Sequence, residues 1–130
     1  MSRDSRLFLQ DILDSAAKVQ VYTADMAQEA FETNDLVYDA VIRNLEVIGE
    51  AAKQTPLDLR AAAPEIPWRM ICGFRDHLAH AYFGLDNDTV WEVVTTELPA
   101  LIHAVRRLLQ TIPQDPLSPE PPPPPRQAGE

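Results

Sequence analysis

The sequence predicts an all-α fold, a bundle of four main helices plus short ones. Three observations predict it. Apolar residues recur every three to four positions through most of residues 1–112. No segment keeps the period-two alternation of a half-buried strand. The breaks fall at residues that stop or start helices, notably Asn34, Pro56, Pro67 and the run Asp86-Asn87-Asp88-Thr89.

The first helix is expected from Asp4 or Ser5 to about Tyr22, with Leu9, Ile12, Leu13, Ala16, Ala17 and Val21 as its apolar positions. A short helix, Met26 to Phe31, precedes the break at Thr33-Asn34-Asp35. The second long helix spans Leu36 to Gln54, with Val37, Ala40, Val41, Leu45, Ile48 and Ala52 inward. Pro56 ends it, because proline disfavours a helical residue before it. A further short turn, Leu57 to Ala62, leads to Pro67, which suits the first turn of a third helix. That helix carries Trp68, Ile71, Phe74 and Leu78 inward and ends near Gly84. Thr89 to Glu92 reads as a capping box opening the fourth helix, whose stripe runs from Val90 to Leu108. Pro99 interrupts that stripe and predicts a kink.

Residues 1–112 form one domain by this reading, and 113–130 a tail. Eight of the twelve prolines lie in the tail, which has almost nothing apolar to bury and is expected to be disordered and extended. The N-terminus carries no secretory pattern, and no apolar run approaches membrane length, so a cytoplasmic location is expected with no membrane partner. The single Cys72 excludes an internal disulfide and reads as a buried packing residue. The net charge is −9, with 17 acids against 10 Lys and Arg in residues 1–112. That balance argues against a generic nucleic-acid binder, which shows a basic face.

One stretch carries chemistry. Arg75-Asp76-His77-Leu78-Ala79-His80-Ala81-Tyr82 gathers an arginine, an acid, two histidines and a tyrosine. A guanidinium can stabilise a phosphate that gains charge, and an imidazole can move protons near neutrality. Together they meet the needs of phosphodiester cleavage without a metal. On an ideal helix Asp76 and His80 share a face, as do Arg75 and Tyr82, whereas Arg75 and His80 stand about 140° apart. A symmetric dimer would gather two copies of each around one cleft. Two other readings stay open: a solvated charged face, and a metal site using His77 and His80 at the i, i+3 spacing. No third His or Cys lies nearby in sequence, and His103 reads as structural or exposed.

Arg75-Asp-His-Leu-Ala-His80-Ala-Tyr82 resembles the Arg-x-x-x-x-His-x-Tyr signature of the HepT-like toxins of the HEPN ribonuclease superfamily. Arg43 to Lys53, Pro64 to Arg69, Tyr82 to Asp86 and then Val90-Trp91 resemble further blocks of that family, in the same order. The resemblance covers about residues 4 to 110 and leaves out the proline tail.

It implies a HEPN-type homodimer whose paired motif helices form a cleft. It implies Arg75 and His80 as the catalytic pair, with Asp76 supporting. The implied activity is that of a metal-independent endoribonuclease, needing no cofactor and acting on RNA, either mRNA or tRNA, rather than DNA. The implied setting is a type VII HepT/MntA toxin–antitoxin system. There a nucleotidyltransferase antitoxin of the MntA type transfers AMP to the tyrosine matched here by Tyr82. The competing expectation is a non-catalytic helical dimer whose task is to bind that nucleotidyltransferase, which the acidic composition favours.

Overall fold

The computed structural model describes residues 4–74 and 87–112, and every regular element among them is a helix. Helix α1, Asp4–Thr23, begins and ends as its sequence predicts. Its buried line is Ser5, Leu9, Ile12, Ala16, Val19 and Thr23, at steps of three or four. Val21, expected inward, is 73% exposed. It lies nine residues past Ile12, about 180° around the helix, and so faces away from the core. Thr23 is tolerated inside because its hydroxyl donates to the Val19 carbonyl at 2.8 Å.

The chain turns after α1 through Asp25, whose φ of 61° lies in the left-handed region that Asp tolerates. This turn delays the short helix α2 to Gln28–Thr33, two residues later than expected. Six residues cannot hold a helix in water by themselves. Phe31, fully buried, ties α2 down between the rings of Tyr38 and Trp91 at 5.2 and 5.1 Å.

Helix α3, Asp35–Gln54, starts where the Asn34 side chain accepts the Val37 N–H at 3.1 Å. Val41, Leu45, Ile48 and Ala52 are buried as expected, and Gly49 and Ala51 join them. Thr55 closes the helix, its hydroxyl bonding the Ala51 carbonyl at 3.0 Å, and Pro56 follows. Helix α4, Leu57–Ala62, buries Leu59. Helix α5, Trp68–Cys72, begins directly after Pro67, with Trp68, Ile71 and the following Phe74 inward. The expected continuation past Phe74, with Leu78 inward and an end near Gly84, lies outside the described residues.

Beyond them come α6, Asn87–Glu92, a π-helical turn, Val93–Glu97, and α7, Leu98–Thr111, in one unbroken run. Helix α6 is already under way at Asn87, so Thr89 sits inside its first turn rather than at a capping-box position. The effect of Pro99 is a π turn just before it, in which the Leu98 N–H reaches back five residues to the Val93 carbonyl.

The core forms where α1 packs on α3 and on α7, with α5 against α3. Arg6 donates to the carbonyls of Leu109 and Ile112 at 3.3 and 3.1 Å, so the start of α1 lies beside the end of α7 and the two helices run antiparallel. Cys72 is half-buried at the core margin rather than fully enclosed. No described helix is long and apolar enough to cross a membrane. The tail from residue 113 lies outside the described residues.

Candidate functional site

The residues that carry the candidate chemistry, Arg75, Asp76, His80 and Tyr82, lie outside the described residues, as does His77. The structure does describe the chain on either side of residues 75–86, up to Phe74 and again from Asn87.

The upstream end is a compact set of hydrogen bonds. The Trp68 indole N–H is shared between the carbonyls of Arg60 and Ala63 at 3.1 and 3.0 Å, and its ring is buried. Arg60 in turn donates to the carbonyls of Thr55 and Lys53 at 2.9 and 2.8 Å, closing the end of α3. Trp68 has to be buried to bury its area, and its N–H then needs an acceptor; the α4–α5 connection supplies two. Gly73 returns its N–H to the Arg69 carbonyl at 3.1 Å, and Phe74 is buried beside it. The described segment therefore ends on a backbone bond at Gly73 and a buried ring at Phe74.

The downstream end is held from α2 and α3. The Tyr38 hydroxyl donates to Asn87 Oδ1 at 2.8 Å, across 49 residues of chain. The neighbouring Asp88 accepts from the Gln28 side-chain amide. Burial, with smaller contributions from Glu32 and Asp39, pushes the Tyr38 phenol above its ordinary value of 10. The hydroxyl thus stays protonated and remains a donor at physiological pH. Sequence reasoning missed this contact, since nothing in local spacing links residues 38 and 87. The one available hint was a tyrosine beside the buried stripe of α3, where a half-buried hydroxyl must find a partner.

Arg107 pairs with Glu65 at 2.7 Å, both well exposed, and His103 is exposed on α7. Among the described residues no group of three or more His, Cys, Asp or Glu could hold a metal ion.

The helix order, together with the ordered blocks from Arg43 to Trp91, defines a helical protein of the HEPN type. The profile of the ribonuclease HepT-like family matches residues 12–108, and the chain belongs to that family. It is 42% identical over 110 residues to "Putative RNase MJ0125" of Methanocaldococcus jannaschii, covering 85% of this chain and 95% of that one. It is 40% identical over 101 residues to "Probable ribonuclease HepT" of Thermococcus cleftensis, covering 78% and 92%. No solved structure matches.

Proposed function

We propose that the protein is a metal-independent endoribonuclease toxin, built on residues 1–112, that works as a homodimer. One observation carries this reading: a family match spanning 12–108 in a chain that keeps Arg75, His80 and Tyr82 at the family's signature spacing. In the proposed reaction the 2′-hydroxyl of one nucleotide attacks the adjacent phosphorus and the 5′-oxygen of the next nucleotide leaves. The products are a 2′,3′-cyclic phosphate and a 5′-hydroxyl. His80 serves as general base to the attacking hydroxyl or as general acid to the leaving oxygen. Arg75 stabilises charge on the phosphorane, and Asp76 holds the imidazole and favours its charged form. Because the nucleophile is the 2′-hydroxyl, the substrate is RNA.

Tyr82 is the proposed point of control. Its phenol oxygen attacks the α-phosphate of ATP on an MntA-type nucleotidyltransferase, and pyrophosphate leaves. The added AMP sits seven residues from Arg75 in sequence, where it adds negative charge and bulk against an RNA phosphate.

The experiment is cleavage of total cellular RNA by purified, unmodified protein in excess EDTA, with His80→Ala in parallel. Cutting by the wild type alone, leaving cyclic phosphate ends, is expected. Cutting by both at the same rate removes His80 from the mechanism. Cutting by neither, from dimeric protein free of AMP, favours the second reading, an interaction module for the nucleotidyltransferase. The acidic excess of the chain is the observation behind that alternative.

A further inference from the structure

The acidic charge of this chain is unevenly placed. Residues 19–42 and 87–105 hold eight carboxylates and no Lys or Arg, whereas all ten Lys and Arg of residues 1–112 lie elsewhere. The two segments meet around Phe31. The rings of Tyr38 and Trp91 flank it at 5.2 and 5.1 Å, and both stay partly exposed. Carboxylates rim these rings. The Gln28 side-chain amide donates to both Glu32 and Asp88, tying α2 to α6. Burial chiefly, and the neighbouring charges of Glu32 and Asp39 with it, keeps the Tyr38 phenol protonated. Partly exposed aromatic rings take up proline rings, and beside carboxylates they also take a guanidinium.

One segment of this chain has that chemistry. Pro121 to Pro125 are five consecutive prolines, and Arg126, the only Lys or Arg after residue 112, follows them directly. The lengths also fit. The described chain ends at Ile112, whose carbonyl accepts from Arg6 at 3.1 Å. Trp91 lies 21 residues earlier on one unbroken helical run, about 32 Å back along its axis. A chain returning in extended form, at about 3.1 Å per residue, covers about 28 Å by Pro121 and about 40 Å by Pro125. The prolines thus come level with Trp91, and Arg126 comes within side-chain reach of Asp88 just beyond it. Asp115 and Glu120 precede the prolines and stop short of the carboxylate rim.

We propose that the surface formed by Glu32, Tyr38, Asp39, Asp88 and Trp91 is a docking site for the chain's own Pro121–Arg126 segment. Each contact is weak by itself, but tethering supplies an effective concentration of about 1 mM, which fills a weak site. The family match ends at residue 108, and docking of a segment beyond it is independent of RNA cleavage.

The test uses the full chain with Cys72→Ser and Ala128→Cys, a nitroxide on residue 128, and amide spectra of isotopically labelled protein. Relative to the chemically reduced label, the amides of Asp39, Asp88 and Trp91 are expected to lose most of their intensity. Arg126→Glu, which leaves residues 1–112 unchanged, is expected to restore it. Asp39→Lys, an exposed change on α3, is expected to do the same. Full intensity at these amides without either substitution overturns the proposal, as does a loss that persists in either variant. Mixing isotopically labelled chains that lack the nitroxide with unlabelled chains that carry it separates the two sources of a tail. Full intensity in the mixture supports docking within one chain. Lost intensity there places the tail of a second copy on the surface and overturns it.

Discussion

Helix α2 hangs on one side chain, which makes Phe31 the most informative stability probe in the molecule. It is the one buried residue of a six-residue helix, and it is fully enclosed between Tyr38 and Trp91. Phe31→Leu keeps most of the volume and removes two aromatic contacts, each worth about 0.5–1.5 kcal/mol, so a loss of about 1–3 kcal/mol is expected. Phe31→Ala adds a cavity and is expected to cost about 3–5 kcal/mol. Against a total stability of about 5–15 kcal/mol, the second change removes a large fraction of the whole. Urea unfolding is the assay. With a slope of about 1.5 kcal/mol per molar, Phe31→Ala should bring the midpoint down by about 2 M or more. Trp91 fluorescence should change before the global transition, since its ring touches Phe31 directly. Equal midpoints for Phe31→Leu and wild type would refute the role assigned to the rings. A loss below about 1 kcal/mol for Phe31→Ala would refute the enclosure itself.

Other consequences are equally direct. Asn34→Ala removes the side-chain acceptor at the start of α3 and should cost about 1 kcal/mol, read as a lower melting temperature. Arg107→Gln should change stability by less than about 0.5 kcal/mol, because its pairing with Glu65 is solvent-screened; a larger fall in a urea titration would contradict that. The Tyr38 phenol ionises at higher pH in the folded state than in the unfolded chain, so its contribution is complete below pH 10 and lost as pH rises through the folded value. Thermal melts through that alkaline range should show a shallower decline for Tyr38→Phe than for wild type.

The helices most readable from sequence were those whose ends carry local chemistry. Asn34 and Pro56 bracket α3, and Pro67 marks α5, because caps and prolines act within a residue or two of where they stand. The inward face of α1 was harder. Its stripe includes Ser5, Ser15 and Thr23, which hydropathy alone assigns to water, and that pulled the expected face toward Val21. The first turn of α6 was misjudged for a related reason: Thr89 and Glu92 have capping-box spacing, but spacing does not say whether the helix has already begun. The candidate catalytic residues were legible as a motif, since Arg75, His80 and Tyr82 lie within eight positions. The Tyr38–Asn87 contact was not, because it exists only once α2 and α3 have folded against α6.

The π turn before Pro99 has a consequence for how the chain can change length. A proline inside an α-helix drives its ring toward the carbonyl four residues back, here that of Thr95. The wider turn over Val93–Glu97 accommodates one residue more than an α-helical path between the same two ends. Thr95 and Thr96, both exposed, are where that surplus lies. Surplus and proline are therefore a matched pair. With Pro99→Ala in place, deleting Thr96 leaves an ordinary helix whose later residues keep their places in the core. Either change made alone leaves the other without its counterpart. Along this chain the extra residue and the imino acid act as one two-part feature.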